Sequence, residues 1–282
     1  MVNSSQTSDN QPRITVTRNS HKILYWNCHG LSNKFIEIMN FIKSNNISIA
    51  LLCETWIKPT FKLRYHPEYN IHRLDRLSAP HGGVAIVINK SIKYTIMPNL
   101  ASLKVIKAIG IYVDGPTSIT KIVSVYFPGS TSAVVKRNCY QTLGLTDKNS
   151  IQKAFKGDLH KLMSMGDIII CGDLNARNNA WNCYRNNVAG NTLYDILSRN
   201  SMFKIMYLPS STYVPLNQKL RPSTIDVVLS NIPNFIKNIN ILNLFNSDHY
   251  PVTFDFSQNI PKLTIDKYYL DYTNANWPYS KL

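Results

Sequence analysis

The chain has 282 residues, 44% of them apolar, which is enough to bury a sizeable core and argues against global disorder. Its 31 Lys and Arg residues outnumber its 16 Asp and Glu residues, and the formal charge of +15 favours a polyanionic partner, nucleic acid first and an anionic membrane surface second. No apolar run approaches the roughly 20 residues needed to cross a bilayer, so no membrane-spanning segment is predicted.

The two ends of the chain and its cysteines indicate where the folded domain lies and in which setting. Residues 1–20 lack the apolar stretch of a secretory signal and are predicted to be a disordered polar leader. Residues 21–257 form the predicted domain, and residues 258–282 form a polar tail. The five cysteines are odd in number, form no C-x-x-C pair and mostly lie in apolar runs, as buried free thiols do. We therefore expect a reducing, intracellular setting.

The first half of the domain alternates strand-like and helix-like patterns. Residues 22–28 and 47–53 are predicted strands, and the apolar spacing of residues 33–44 predicts a helix between them. Residues 57–82 are predicted to be a long, basic connection. Three further strands are predicted at residues 83–88, 104–113 and 119–127.

The second half begins with a polar, loop-like stretch at residues 129–150. Helices are predicted over residues 151–165 and 192–200, on either side of a buried strand at residues 167–171. The remaining strands are predicted at residues 204–208, 224–229, 236–242 and 252–256. Many strands, few helices and no clean βαβ run predict an α/β domain built on mixed sheets.

Polar residues stand at the ends of these buried strands, where a packed scaffold holds side chains in fixed positions that face solvent. They occur in the motifs WNCHGL, LLCETW, VYFPG, CGDLNA, STIDVVL and SDHYPV. The residues concerned are Asn27, Glu54, Tyr126, Asp173, Asn175, Asp226, Ser247, Asp248 and His249. These residue types suit the cleavage of a phosphodiester.

Phosphodiester cleavage needs a hard cation and an activated water. Glu54 and Asp248 supply the one or two carboxylates with which proteins hold Mg²⁺, with Mn²⁺ as a second candidate, and Asn27 is predicted to hold a ligand water. Asp173 and Asn175 are two residues apart and so lie on one face of an extended strand. They are predicted to orient the attacking water and to help remove its proton.

The developing oxyanion needs hydrogen-bond donors, which His249, Asn175 and Tyr126 are predicted to provide. A histidine in that role is usually held by a carboxylate on its other ring nitrogen, and Asp226 is the natural partner. Because a buried carboxylate is costly unless it is paired, Asp226 inside its apolar strand favours a functional site on its own.

Taken singly, the other motifs have simpler interpretations. Asp173 could form an Asx turn, Glu54 could be a surface acid, Ser247 and Asp248 could cap a turn, and Tyr126 could be an edge-strand aromatic. Because all six residue types occur together at strand ends, an active site explains them better than these separate interpretations do.

With these motifs the chain resembles the endonuclease/exonuclease/phosphatase superfamily, and within it the apurinic-endonuclease-like domain of non-LTR (LINE-type) retrotransposons. The resemblance runs from about residue 22 to residue 256 and rests on WNCHGL, CETW, GGVAI, VYFP, GDLNARNNAW, RPSTIDVVLS and SDHYPV. It implies a four-layer, DNase I-like α/β fold, in which a two-sheet β-sandwich is flanked by helices and carries the active site at one edge.

The resemblance also implies an activity and partners. In this family the domain nicks double-stranded DNA and leaves a 3′-hydroxyl that primes reverse transcription of the element RNA. We therefore expect DNA, that RNA and a downstream reverse transcriptase as partners, and the nucleus as the place of action. The tail at residues 258–282 then resembles a linker toward a missing reverse transcriptase region. The resemblance adds Thr212, which matches a polar position near the scissile phosphate, and it leaves open whether Asp173 or His249 takes the proton from the water.

Residues that contact DNA are harder to place from the sequence. The stretch at residues 58–76, which includes Arg73, interleaves basic and aromatic side chains, and a phosphate-gripping loop and a solvated surface loop explain it equally well. Residues beside the predicted site are better candidates for backbone contacts, namely Arg177, Arg185, Lys219, Arg221 and Ser247.

Two alternatives remain open. The first is a cellular enzyme of the same superfamily, such as an apurinic/apyrimidinic repair endonuclease, which should prefer abasic sites to intact DNA. The second is a basic nucleic-acid-binding module whose site is dead, although the complete set of polar residues speaks against it. The charge, and the lack of a Cys-Asp-Arg element in STIDVVL, argue against a phosphatase for small phosphoesters.

Overall fold

Twelve strands carry the fold of the described residues, which are 14–75, 82–115, 118–129, 145, 147–217, 219–245 and 247–263 of the computed structural model. In chain order the strands are β1 (Ile14–Asn27), β2 (Ile49–Cys53), β3 (Tyr69–Leu74), β4 (Val84–Asn89), β5 (Tyr94–Ile96), β6 (Lys107–Asp114), β7 (Ile119–Tyr126), β8 (Ile168–Asp173), β9 (Lys204–Ile205), β10 (Asp226–Ser230), β11 (Ile236–Ile241) and β12 (Val252–Leu263). They form two sheets of six strands each.

The two sheets have corresponding strand arrangements. The first has the order β11-β12-β1-β2-β4-β3 and the second the order β5-β6-β7-β8-β10-β9. Each has one parallel pair at its centre, β1 with β2 and β7 with β8. Parallel neighbours need a long crossover connection. Helix α1 (Phe35–Ser44) provides it in the first sheet and α2 (Lys148–Met163) in the second.

Helices cover the outer faces of both sheets. On α1 the spacing of Ile38 and Ile42 builds one apolar face, which is buried with Leu24 and Leu52 of the first sheet. Helices α2 and α3 (Val188–Arg199) share a core with the second sheet, and the inner faces of the two sheets share a third core. The four layers are therefore helix, sheet, sheet and helices, and the predicted fold class is confirmed.

The strand register brings the ends of the central strands to one edge of the sandwich. Asn27, the last residue of β1, pairs with Cys53, the last residue of β2. Tyr126 at the end of β7 pairs with Asp173 at the end of β8. Asp226, the first residue of the antiparallel strand β10, also pairs with Asp173. Polar residues at these positions therefore converge.

Two edge strands and two helix starts depart from the predictions. The stretch at residues 57–82 is not wholly a connection, because it contains the edge strand β3. This strand was not predicted because several of its residues are polar and half-exposed, so it has no apolar run like that of a central strand. The three-residue edge strand β5 is equally weak as a pattern. Helices α2 and α3 begin earlier than predicted because Asp147 and Asn187 cap polar first turns, which apolar spacing does not register.

The first and last strands extend past the predicted domain boundaries at residues 21 and 257. Their far ends pair with each other, from Ile14 opposite Leu263 onward. Ladder hydrogen bonds satisfy the backbone whatever the side chains are, so the polar composition of these ends concealed the strands. The rest of the predicted leader and tail, residues 1–13 and 264–282, lies outside the described residues. None of the helices in the described part of the chain has the length and apolar character that a membrane crossing requires.

Candidate active site

Asn27 is the hub of the hydrogen-bond network at the converging strand ends. Its side-chain Nδ2 donates to Glu54 Oε1 at 3.2 Å and to Asp173 Oδ2 at 3.0 Å, and its Oδ1 accepts from the backbone N–H of His29 at 3.2 Å. Both ends of the buried amide are thus engaged within the protein. These contacts favour a role in holding two carboxylates rather than the predicted role in holding a ligand water.

Glu54 projects into the same space from the residue after β2. Its backbone has a φ of +51°, a left-handed conformation that is uncommon for a residue with a side chain. Trp56 Nε1 donates to its Oε2 at 3.1 Å, and the Tyr126 hydroxyl is also hydrogen-bonded to it. Burial and the neighbouring Glu54 and Asp173 carboxylates raise the pKa of Tyr126, so the phenol keeps its proton. Tyr126 can donate this single proton to a phosphate oxygen only by turning it away from Glu54.

Asp226 and His249 form a buried pair on the other side of Asn27. The Asp226 Oδ2 and His249 Nδ1 atoms are 2.9 Å apart, and each residue is at most 6% exposed. Burial works against the charge of both groups, yet their mutual attraction lowers the pKa of Asp226 and, together with Asp173 and Asp248, raises the pKa of His249 to about 10. The ring is therefore held with Nδ1 bound to Asp226 and with Nε2 turned inward.

Asp173 lies between these groups, 1% exposed, at the end of β8. Its Oδ1 accepts from the backbone N–H of Asn175 at 2.8 Å, and its Oδ2 lies 4.0 Å from His249 Nε2. Burial, and then the nearby Asp226 charge, raise the pKa of Asp173. Ligand atoms of Asp173, Asp226 and His249 all lie within 4.8 Å of one another, close enough to share a cation.

Asn175 occupies a strained turn immediately after β8. Its φ is +47°, in the left-handed region that Asn tolerates better than most residues. Its Nδ2 donates to the Phe127 carbonyl at 3.1 Å, while its own carbonyl accepts from Asn187 Nδ2 at 2.7 Å. These bonds tie the ends of β7 and β8 together and leave one of the two amide hydrogens of Asn175 for a ligand.

The segment before β12 brings Ser247 and Asp248 to the same edge. Ser247 Oγ accepts from the backbone N–H of His249 at 3.2 Å, so it shapes this turn. Asp248 Oδ1 lies 3.1 Å from His29 Nδ1, and the His29 ring contacts the Trp56 ring with centroids 4.4 Å apart. Asp248 and Glu54 are less buried than Asp173 and thus face solvent.

Besides Trp56, sequence reasoning missed three side chains of this site. Tyr25 donates from its hydroxyl to Asp226 Oδ1 at 2.9 Å, and the Tyr213 ring lies 4.9 Å from the His249 ring. The third is His29, which stood inside the WNCHGL motif and was the only one with a usable signal. Thr212, which was predicted, is fully buried and its Oγ1 accepts from the backbone N–H of Asp226 at 3.3 Å.

The candidate DNA-binding residues fall into two groups. Arg221 and Lys219 are exposed on the loop that follows Tyr213, and the Arg221 guanidinium lies 3.9 Å from the centroid of the Tyr184 ring. Arg177 is half-buried just after Asn175. Arg73, in contrast, is engaged by its own surroundings.

The guanidinium of Arg73 donates to the Pro59 and Phe61 carbonyls at 3.2 and 2.7 Å and pairs with Asp75 at 3.2 Å. These bonds fasten the connection before β3, so they favour a structural role over the predicted DNA contact. Residue 76, at the end of the same basic stretch, lies outside the described residues.

The chain is similar to a known family and to several known proteins. Residues 120–253 match the model of a family described as endonuclease-reverse transcriptase. The chain is 28% identical over 236 residues to a probable RNA-directed DNA polymerase from transposon X-element of Drosophila melanogaster, covering 82% of this chain and 23% of that protein. It thus spans about a quarter of the length of the curated relatives that it matches.

Two solved structures have the same fold. The endonuclease domain of TRAS1, a telomere-specific non-LTR retrotransposon, gives a TM-score of 0.63 at 15% identity and covers 84% of this chain and 98% of that domain. The AP endonuclease LMAP from Leishmania major gives 0.61 at 13% identity and covers 91% of this chain and 92% of that one. The fold is thus that of the DNase I-like endonucleases. The predicted resemblance to the endonuclease/exonuclease/phosphatase superfamily, and within it to the endonuclease domain of non-LTR retrotransposons, is confirmed.

Proposed function

We propose that this chain is a divalent-metal-dependent endonuclease that nicks one strand of double-stranded DNA and leaves a 3′-hydroxyl from which the RNA of a non-LTR retrotransposon is reverse-transcribed. One observation carries the proposal. Asn27, Glu54, Asp173, Asp226 and His249, which are spread over more than two hundred positions of the chain, form one hydrogen-bonded network at a single edge of the sandwich, in which Asn27 Nδ2 also lies 3.5 Å from His249 Nε2.

The cation fits best between Glu54 and Asp248. Mg²⁺ keeps several of its waters and is usually held by one or two carboxylates, so it needs a site that water reaches. Asp173, Asp226 and His249 are close together but almost completely buried, and Asp226 and His249 already use their facing atoms on each other. Glu54 and Asp248 are partly exposed and offer oxygen ligands, which suit Mg²⁺ or Mn²⁺. When bound, the cation neutralises charge that develops on the phosphoryl and leaving oxygens.

Asp173 is the proposed general base. Its raised pKa makes it a stronger proton acceptor than an exposed carboxylate, and Asn175 beside it helps to aim the water. The water gives a proton to Asp173 and its oxygen bonds to phosphorus, the bond from phosphorus to the 3′ oxygen breaks, and that oxygen takes a proton from solvent to become the 3′-hydroxyl. The cut thus leaves a 5′-phosphate on the other fragment.

His249 is the proposed oxyanion donor. Asp226 holds its Nδ1 and favours the imidazolium, so Nε2 carries a proton that it donates to a phosphoryl oxygen. Tyr126 and the remaining amide hydrogen of Asn175 donate to the same group. Asp173 is therefore proposed as the general base and His249 as the donor, whereas the sequence alone left open which of them takes the proton.

The proposed partners follow from charge and from the relatives. The exposed cations Lys219 and Arg221 and the half-buried Arg177 contact the DNA backbone, where the formal charge of +15 assists association. The relatives are named as RNA-directed DNA polymerases from transposons, so the element RNA and a reverse transcriptase region are the further partners. Such a role places the protein in the nucleus.

The proposal is tested by incubating the chain with supercoiled plasmid, with Mg²⁺ and with a chelator. We expect open-circular product with Mg²⁺ or Mn²⁺ and none with chelator, and the nicked ends should be extended by a DNA polymerase without prior phosphatase treatment. Binding without nicking would instead support a catalytically inactive DNA-binding module.

The fold shared with an AP endonuclease gives the second candidate, a repair endonuclease. Duplexes that differ by a single abasic site separate the two activities. A retrotransposon nickase should cut the intact and the abasic duplex at similar rates, whereas strong preference for the abasic duplex would favour the repair enzyme.

A further inference from the structure

We propose that Tyr25 is a positioning residue of the active site: from the opposite sheet, its hydroxyl anchors the Asp226 carboxylate that orients His249. This inference rests on the proposed nuclease function. It gives a role to a buried hydroxyl that no step of the proposed reaction uses.

The contact joins the two sheets of the sandwich. Tyr25 lies on β1 of the first sheet and Asp226 begins β10 of the second, and the hydroxyl and Asp226 Oδ1 are 2.9 Å apart. Tyr25 is 0% exposed and Asp226 is 1% exposed, so water does not compete for this bond. A hydrogen bond to an ionised group in such surroundings is stronger than one between neutral groups.

The hydrogen bonds fix which way the Tyr25 hydroxyl proton and the Cys53 thiol proton point. An ionised carboxylate only accepts, so the single phenol proton of Tyr25 points to Asp226. Cys53 Sγ lies 3.1 Å from the same hydroxyl and must therefore donate its thiol proton to the Tyr25 oxygen. The bonds run in one direction, from Cys53 through Tyr25 to Asp226.

Three side chains hold the Asp226 carboxylate, namely His249, Tyr25 and Thr212, and Tyr25 is the one that comes from the opposite sheet. His249 Nδ1 binds Oδ2 of Asp226 and Tyr25 binds Oδ1, so rotation about the terminal bond of the side chain breaks at least one hydrogen bond. The plane of the carboxylate in turn sets the plane of the imidazole. Without Tyr25, the His249 ring loses part of the restraint that turns Nε2 toward Asp173 and the phosphate.

The test compares Tyr25→Phe with Tyr69→Phe. Tyr69 is a matched control, because its buried hydroxyl donates to the Ile47 carbonyl at 3.2 Å in the core beneath α1, away from the site. We expect Tyr25→Phe to lower kcat for plasmid nicking by on the order of tenfold, with KM for DNA little changed, because a hydrogen bond to a charged group is lost. Tyr69→Phe should leave kcat unchanged.

A spectroscopic readout separates positioning from general stability. The downfield proton resonance of His249 Nδ1–H should move or broaden in Tyr25→Phe and stay in place in Tyr69→Phe, measured without metal. If Tyr25→Phe does not fold, 3-fluorotyrosine is placed at position 25 alone. This replacement keeps the shape of the side chain, makes its hydroxyl a stronger hydrogen-bond donor and should also move this resonance.

Each outcome bears on one claim. An unchanged kcat and an unmoved resonance in Tyr25→Phe would overturn the positioning role while leaving the proposed nuclease intact. Equal losses of kcat in the two Phe variants would also overturn it, because they would reflect lost stability. If the wild-type chain does not nick DNA with Mg²⁺, the proposed function fails, and an unmoved resonance is then the separate result that refutes the contact.

Discussion

The buried pair of Asp226 and His249 makes stability depend on pH. The pKa of His249 is raised to about 10 in the folded chain, whereas an exposed histidine titrates near 6.5. A raised pKa stabilises the fold fully below the unfolded value, and this contribution is lost as pH rises through the folded value. The relevant window therefore runs from about pH 6.5 to about pH 10.

We therefore expect His249→Gln to destabilise the metal-free chain by at least about 1 kcal/mol more at pH 6.5 than at pH 10, because one pKa unit corresponds to about 1.4 kcal/mol. The measurement is urea unfolding of both chains in chelator across this range. A destabilisation that stays constant with pH would show that His249 is not charged in the fold.

Asp173 is the residue on which the proposed chemistry depends most. Asp173→Asn keeps the shape and the backbone contact of the turn but removes the proton acceptor. Nicking should fall by about 10²–10⁴-fold, the range of general base catalysis, while the Kd for DNA changes little. A variant that is folded by circular dichroism yet retains most of its rate would remove Asp173 from the mechanism.

Single residues differed in how far the sequence could predict them. Asp226 could be inferred because a carboxylate inside an apolar strand is costly without a partner, and His249 is that partner. Tyr25 could not be inferred, since a tyrosine in an apolar strand reads as core and its contact with Asp226 spans 201 positions. The hydrogen bonds of Arg73 could not be inferred, because a basic pattern does not show that its guanidinium is held by the Pro59 and Phe61 carbonyls.

At the scale of elements, α2 is fastened to the segment just before β6 by a buried carboxylate. Asp158 is 1% exposed and accepts from the backbone N–H groups of Lys104, Val105 and Ile106 at 2.8–3.0 Å. Asp158→Ala leaves these donors unsatisfied, so unfolding free energy should fall by about 2–4 kcal/mol in chemical denaturation. Asp195→Ala on the exposed face of α3 is the control and should change little. Equal effects would contradict the account of Asp158.

Substitutions in the loop after Tyr213 and in the connection before β3 should have opposite effects on DNA binding and on Tm. Arg221→Gln and Arg73→Gln remove the same charge, but Arg221 is exposed beside Tyr184 and Arg73 is tied to the Pro59 and Phe61 carbonyls. Arg221→Gln should weaken DNA binding several-fold at unchanged Tm, because one phosphate contact is lost. Arg73→Gln should lower Tm and leave the Kd nearly unchanged, by fluorescence anisotropy at fixed salt. The reverse pattern would restore Arg73 to the DNA interface.

Elements were predictable where their pattern was apolar and periodic. The central strands β2 and β8 are buried throughout, so their apolar runs identified them, and α1 followed from one apolar face. Edge strand β3 and the polar first turns of α2 and α3 carried no such signal, since pairing and caps rather than burial hold them. No local sequence pattern predicted the order of the strands within each sheet.

At the scale of the whole molecule, the site exists only when both sheets are in place. The first sheet supplies Asn27 and, just after β2, Glu54, the second supplies Tyr126, Asp173 and Asp226, and the turn before β12 supplies Asp248 and His249. The ordered motifs predicted which residues belong together. Their distances depend on the stacking of the sheets, which the motifs do not encode. Binding of a cation to such a site stabilises the folded chain, because the unfolded chain cannot assemble it.

The most direct measurement is the position of the cation in a crystal of this chain soaked in Mn²⁺, located by anomalous scattering. The account predicts one site held by Glu54 and Asp248, with Asp173 and His249 close by but not ligating. A site within the buried group of Asp173, Asp226 and His249, or no bound ion at all, would contradict it.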